Sequence, residues 1–259
     1  LYRTCIAVGN YPVDHHHTRY HGYEELPNLY FHPVPSYGLP LGTLIPKDVE
    51  GLIVAEKSIS VSNIINGTTR LQPMVMQIGQ AAGALAALAV KENKNISEVS
   101  VREVQNAILD AKGYLLPYLD VAMDHPMFKS LQRVGSTGIL KGIGKSVDWA
   151  NQTWFRADTL LLANELEGLR DVYPFVDKQV FEGNNTISIQ KAVEMIEGIA
   201  EKESIELKKG RVEEIWNEFG LKDLNMNRNI LRSEMAILID QILDPFNNKK
   251  IDITGQYIQ

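Results

Sequence analysis

The sequence predicts an α+β protein in two parts: a strand-containing region over residues 1–120 that ends in helices, and an all-α repeat region over residues 121–259. Three observations carry this. Short apolar runs of strand length, Ile6-Ala7-Val8, Leu29-Tyr30-Phe31 and Leu52-Ile53-Val54-Ala55, all fall before residue 60. A long helix of very small residues follows Pro73. Beyond Asp120 the pattern changes to short amphipathic helices separated by polar loops, one of which recurs.

The first fifty residues are loop-rich. Pro at 12, 27, 33, 35, 40 and 46 excludes long helices. Five of the six histidines lie between His15 and His32. Three readings compete for His15-His16-His17. A metal site is disfavoured, because consecutive strand residues alternate faces and cannot all converge on one ion. A cloning tag fits poorly with a short internal run. The third reading places Asp14, His15 and His16 in a substrate pocket, where a side chain that titrates near neutrality can act as a base or hold a hydroxyl. Ordinary hydrogen-bonded loop residues are the plain alternative.

Leu52–Ala55 is a continuous apolar run, as expected of a central parallel strand covered on both faces. A polar connection leads to Arg70-Leu71-Gln72-Pro73, with Pro in the first helical turn, where its missing N–H costs nothing. The helix carries Gly79, Ala81, Ala82, Gly83, Ala84, Ala86, Ala87 and Ala89, so its backbone can lie close to a sheet or a flat ligand. Its opening N–H groups and positive dipole end suit an electron-rich or anionic edge. Ser100-Val-Arg-Glu103 reads as a capping box opening a further helix that ends near Gly113.

In the second half, Asn151-QTWFRADTLLLANELE aligns with Asn227-RNILRSEMAILIDQIL at an offset of 76 residues, pairing Arg156 with Arg232 and Leu161 with Ile237. Each copy follows an apolar helix ending at glycine, and Thr186–Met195 is a looser third copy. Such repetition predicts helix–loop–helix units sharing one core. Trp149, Trp154 and Trp216 read as core residues.

Composition excludes several classes. The net charge of −6 is spread along the chain, with 9 basic and 11 acidic residues up to 120 and 17 and 21 beyond, so no basic face for nucleic acid exists. A single cysteine, Cys5, rules out an internal disulfide or a CxxC site and reads as a buried apolar residue. Gln77 and Gln80 interrupt the helix after Pro73, which is therefore read as a packed helix and not a membrane span. No metal site is assigned.

The run VAEKSISVSN–TTRLQP–MQIGQAAGALAALAV resembles the last strand and helix of the FAD-binding domain in a family of bacterial FAD-dependent oxidoreductases. The resemblance implies FAD as cofactor, with Arg70, Leu71, Gln72 and Pro73 around the pyrimidine edge of the flavin and Ser60 bordering the ring. Family members often have Gly-Arg where Glu56-Lys57 stands here. Gly9-Asn-Tyr11-Pro-Val-Asp14-His15-His16 and Tyr37-Gly-Leu-Pro40…Pro46 are similar to family segments of the substrate-binding domain and of the return to the FAD domain. No G-x-G-x-x-G follows a strand, and the chain starts in mid-pattern without Met. It is therefore expected to be the carboxyl-terminal part of a longer flavoprotein whose missing partner is the N-terminal FAD-binding region. The strand at Leu52–Ala55 should then lack a neighbour, leaving an exposed apolar patch or a homo-oligomeric contact.

The implied reaction is hydride transfer from a small-molecule or carbohydrate substrate to the flavin. A polysaccharide lyase recruiting Tyr11, His15 and Arg19, and a non-catalytic helical binding module, are the alternatives. The repeat in residues 121–259 resembles the S-layer-homology repeat, through Leu231-Arg232-Ser233-Glu234 and the Gly-Ile-Leu turn at Gly138. The compartment is left open, since a signal peptide could belong to the missing front.

Overall fold

The computed structural model describes residues 3–14, 34–145, 147 and 151–258. Among these, residues within 1–117, 144–154 and 252–256 form one compact unit, and those within 118–143, 155–251 and 257–259 form a second.

The first unit is built around a short antiparallel pair, β1 (Cys5–Gly9) and β2 (Tyr37–Pro40), with Val8 opposite Gly38 and Gly9 opposite Tyr37. Three helices follow: α1 (Asn63–Thr69), α2 (Gln72–Glu92) and α3 (Val101–Asp110). Cys5, Ile6, Ala7, Ile78, Leu85, Val104 and Ile108 are buried. Among the described residues β1 pairs with a single strand, and glutamine amides bond to its other edge. The side-chain oxygen of Gln77 accepts from the Val8 N–H (3.0 Å) while its NH2 donates to the Val8 carbonyl (3.1 Å). Gln105 of α3 donates to the carbonyls of Cys5 (2.8 Å) and Arg3 (2.9 Å). The polar residue that interrupts the apolar α2 is thus used as a strand substitute, since buried backbone groups must find partners. A second strand pair, β3 (Ile143–Lys145) and β4 (Gln152–Trp154), completes the sheet content.

Several expectations need correction. Leu52–Ala55 is not a sheet strand: it is irregular, tied by the Val54 N–H to the Leu44 carbonyl (2.9 Å), and Leu52 is 46% exposed. An apolar run becomes a central strand only where both its edges find neighbours, and among the described residues none does so here. The polar connection after it contains α1, capped by the Ser62 hydroxyl accepting from the Ile65 N–H (3.3 Å). Ser100 does precede α3, but its hydroxyl makes no cap bond. The α3 helix closes through the N–H of Gly113 to the Ile108 carbonyl (2.8 Å), where a Cβ would lie 2.5 Å from the Ile108 side chain.

Helix α2 also departs from expectation. It buries Met74, Ile78, Ala81, Leu85 and Ala89, one stripe at helical spacing. Gly79 and Gly83 lie on the opposite, open side, where an added Cβ would meet nothing within 4 Å, and Met76 and Val90 there are 75% and 83% exposed. Gly79 and Gly83 therefore make no close approach within this unit, while Ala81 and Ala89 lie in its buried stripe. Helix α2 is long and apolar enough by length and composition to cross a membrane, but one of its faces is buried in the first unit.

The second unit is helical: α4 (Phe128–Thr137), α5 (Leu169–Val172), α6 (Ile189–Lys202), α7 (Arg211–Glu218), α8 (Arg232–Leu238), a π-helical turn (Ile239–Leu243) and α9 (Pro245–Asn248). The segment Asn151–Glu167, expected to mirror α8, is not a helix. It contains β4, a turn with Arg156 in the left-handed region (φ 58°), and a 3-10 turn at Ala163–Leu166. What recurs is a cap. The Glu165 carboxylate accepts from the Leu162 N–H (3.0 Å), as Glu234 does from Leu231 (2.8 Å), so the structural register is 69 residues and not 76. The residues before each helical start pair through isolated β-bridges, Leu160 with Leu231, Leu162 with Thr186, and Ser188 with Asn229. Arg156, aligned with Arg232 by sequence, is exposed, whereas Arg232 is the largest fully buried side chain among the described residues. Its Nε donates to the Phe155 carbonyl (2.9 Å), its Nη2 to the Lys141 carbonyl (2.8 Å), and its Nη1 pairs with Glu165. Burial pulls its pKa down while Glu165 opposes that shift. Trp216 is buried and Trp154 half-buried. Gly168 is needed for a close approach: a Cβ there would stand 2.2 Å from the Gly138 carbonyl oxygen.

Candidate functional site

The turn between α1 and α2 gathers the residues singled out in the sequence. Arg70 is the C-cap of α1, and Leu71 is the N-cap of α2, with Pro73 in the first turn. Among the described residues no side chain caps the start of α2. Gln72 and Pro73 are exposed, so the positive end of this 21-residue helix reaches the surface there.

The segment Tyr11–Asp14 is fastened to the end of α1 by three tethers. The Asp14 N–H donates to the Gly67 carbonyl (3.2 Å). Arg70 Nη2 donates to the Asp14 carbonyl (2.5 Å) and lies 3.9 Å from its carboxylate. The Thr68 hydroxyl donates to the Tyr11 carbonyl. Its single proton is thereby committed, so the Tyr37 hydroxyl, 2.9 Å away, is the donor to Thr68 Oγ1. Burial raises the pKa of Tyr37, and the Thr68 contact only partly opposes this. Gly9 makes room for that phenol, since a Cβ on it would come 2.5 Å from the Tyr37 oxygen. Three sequence segments, Gly9–Asp14, Tyr37–Pro40 and Thr68–Gln72, therefore converge.

Of the residues expected at the site, Asp14 and Arg70 are brought into contact, and Leu71, Gln72 and Pro73 adjoin them along the chain. Ser60 is exposed, with its N–H bonded to the Thr43 carbonyl (2.9 Å). His15 and His16 lie outside the described residues. Thr68 and Tyr37 were not anticipated as site residues; the only signal for them was their place in the T-T-R and Y-G-L-P runs flanking the quoted motifs. Among the described residues no group of three or more His, Cys, Asp or Glu could hold a metal ion.

An exposed helix start flanked by a guanidinium is a donor set suited to an electron-rich or anionic group. Comparison with curated proteins and with solved structures finds no match. A family model described as FAD dependent oxidoreductase matches residues 2–108. The matched span runs from β1 through most of α3 and includes the whole α1–α2 turn. It points to an oxidoreductase role with FAD as cofactor and a small-molecule substrate.

Proposed function

We propose that residues 2–108 are the flavin-facing part of an FAD-dependent oxidoreductase, with Arg70, Leu71, Gln72 and Pro73 bordering the cofactor and Ser60 near its ring. The observation that carries this reading is the open start of α2 inside the family-matched span. FAD, when bound, supplies the hydride-accepting chemistry. The chain's contribution is electrostatic: the Arg70 guanidinium and the first-turn N–H groups of α2 stabilise negative charge at the facing edge. Asp14, His15 and His16 are proposed to face the substrate, a small molecule or carbohydrate, as hydroxyl-binding or proton-accepting groups. The ADP half of the cofactor needs a dinucleotide-binding region, which we place outside these 259 residues because no glycine fingerprint follows a strand here. The open side of α2 and the exposed Leu52 are consistent with a further covering element.

Spectral titration with FAD tests this. The 259 residues alone should bind FAD poorly, and the chain joined to its dinucleotide-binding region should bind it tightly. In the joined protein Arg70→Ala should lower the flavin reduction potential more than it weakens FAD binding. An unchanged potential would remove Arg70 and α2 from the flavin.

For the second unit we propose a binding role, S-layer-homology-like in kind. Its support is a groove of about 260 Å3 whose lining mixes apolar side chains such as Val193, Leu207 and Met226 with the cations Lys208 and Arg211 and the carboxylates of Glu197 and Glu213. Co-sedimentation with cell-wall polysaccharide tests it, and loss of binding in a Lys208→Ala/Arg211→Ala variant is expected.

A further inference from the structure

The α1–α2 turn does two things at once. It opens the helix proposed to face the flavin, and it holds the Tyr11–Asp14 segment by a guanidinium, a threonine hydroxyl and a backbone carbonyl. Asp14 is thus one side chain's reach from the start of α2, since Arg70, which grips it, stands two residues before Gln72. The grip on the Asp14 carbonyl holds the backbone of this residue, and the 3.9 Å approach of the same guanidinium to the carboxylate draws the side chain toward Arg70. The Asp14 side chain is 18% exposed and that of Arg70 34% exposed, so both reach the surface at this turn.

We infer that Thr68 and Arg70 are positioning residues that set the Asp14 carboxylate at a fixed place beside the cofactor edge, so that its negative charge and the Arg70 positive charge tune the flavin as a pair. The inference rests on the proposed flavin-facing role of α2. Tyr37 extends the same device: its hydroxyl donates to Thr68, which orients the Thr68 proton toward the Tyr11 carbonyl. The tether through Thr68 is electrically neutral. An effect of Thr68 on the potential is therefore positional, exerted through the Tyr11–Asp14 segment it holds and not through charge at the residue changed.

The test uses the joined, FAD-loaded protein and reads the flavin reduction potential by dye equilibration. Asp14→Asn in the native background should raise the potential, because a nearby negative charge disfavours the reduced anion. In a Thr68→Val or Arg70→Gln background the same substitution should shift it distinctly less, because the carboxylate is no longer held in place. Thr68→Ser, which keeps the hydroxyl, should restore the full shift and guards against a variant that merely folds poorly. An Asp14→Asn shift of equal size in all backgrounds overturns the positioning role. No shift in the native background places Asp14 away from the flavin and overturns the inference while leaving the function standing. Failure of the joined native protein to bind FAD instead removes the function itself, and the inference with it.

Discussion

Arg232→Met is the sharpest test of the second unit. Methionine keeps most of the buried volume and the apolar stem, so the change isolates the guanidinium. The buried Phe155 carbonyl and the carbonyl of the exposed Lys141 lose their charge-assisted donors. The orphaned Phe155 carbonyl costs about 1–3 kcal/mol, whereas the Lys141 carbonyl can turn to water and costs less. Glu165 is 22% exposed and regains water, so its loss falls at the low end of that range. The guanidinium also lies 5.1 Å from the Phe155 ring centroid, a contact of about 1 kcal/mol. Relief of the desolvation that lowers the Arg232 pKa works in the opposite direction. The balance is a loss of about 2–4 kcal/mol. Urea unfolding followed by Trp216 fluorescence reads it, because Trp216 is buried in the second unit; Trp149 and Trp154 would be replaced by Phe to isolate its signal. A loss below about 1 kcal/mol would show that Arg232 is not the keystone of this core.

Leu161→Ala and Ile237→Ala remove fully buried side chains, and each should cost about 2–4 kcal/mol in the same unfolding experiment. Gly168→Ala drives a methyl into the Gly138 carbonyl and the Ile139 backbone, so a loss of about 3 kcal/mol is expected, and a neutral result would mean the turn can move aside. Burial holds the Tyr37 phenol above its ordinary value of 10.0, so the folded protein keeps a proton that the unfolded chain gives up. The stability from this is fully present below pH 10.0 and is lost as pH rises through the higher folded-state value. Tyr37→Phe should flatten that alkaline limb of the stability profile, and an unaltered limb would contradict the shift.

The sequence by itself determined features that depend on near neighbours. A short apolar run marked β1, Pro73 and the small residues marked α2, and glycines marked the ends of α4 and α7. The family-like motifs were legible for the same reason, being contiguous runs. What the sequence could not decide is where a run finds its partner. Leu52–Ala55 looks like a core strand by hydrophobicity, but whether it is one depends on strands elsewhere, and here the segment stays irregular with Leu52 exposed. The 76-residue alignment scored side-chain similarity, whereas the 69-residue register follows from which carboxylate reaches which backbone N–H. Gln77 looks like an interruption of α2 until its amide is seen bonded to the backbone of β1. The convergence of Asp14, Tyr37, Thr68 and Arg70 spans more than fifty residues of chain, and no local pattern encodes it. Local sequence fixes which conformations are cheap, while the satisfaction of buried polar groups, which is settled only in three dimensions, decides which of them are used.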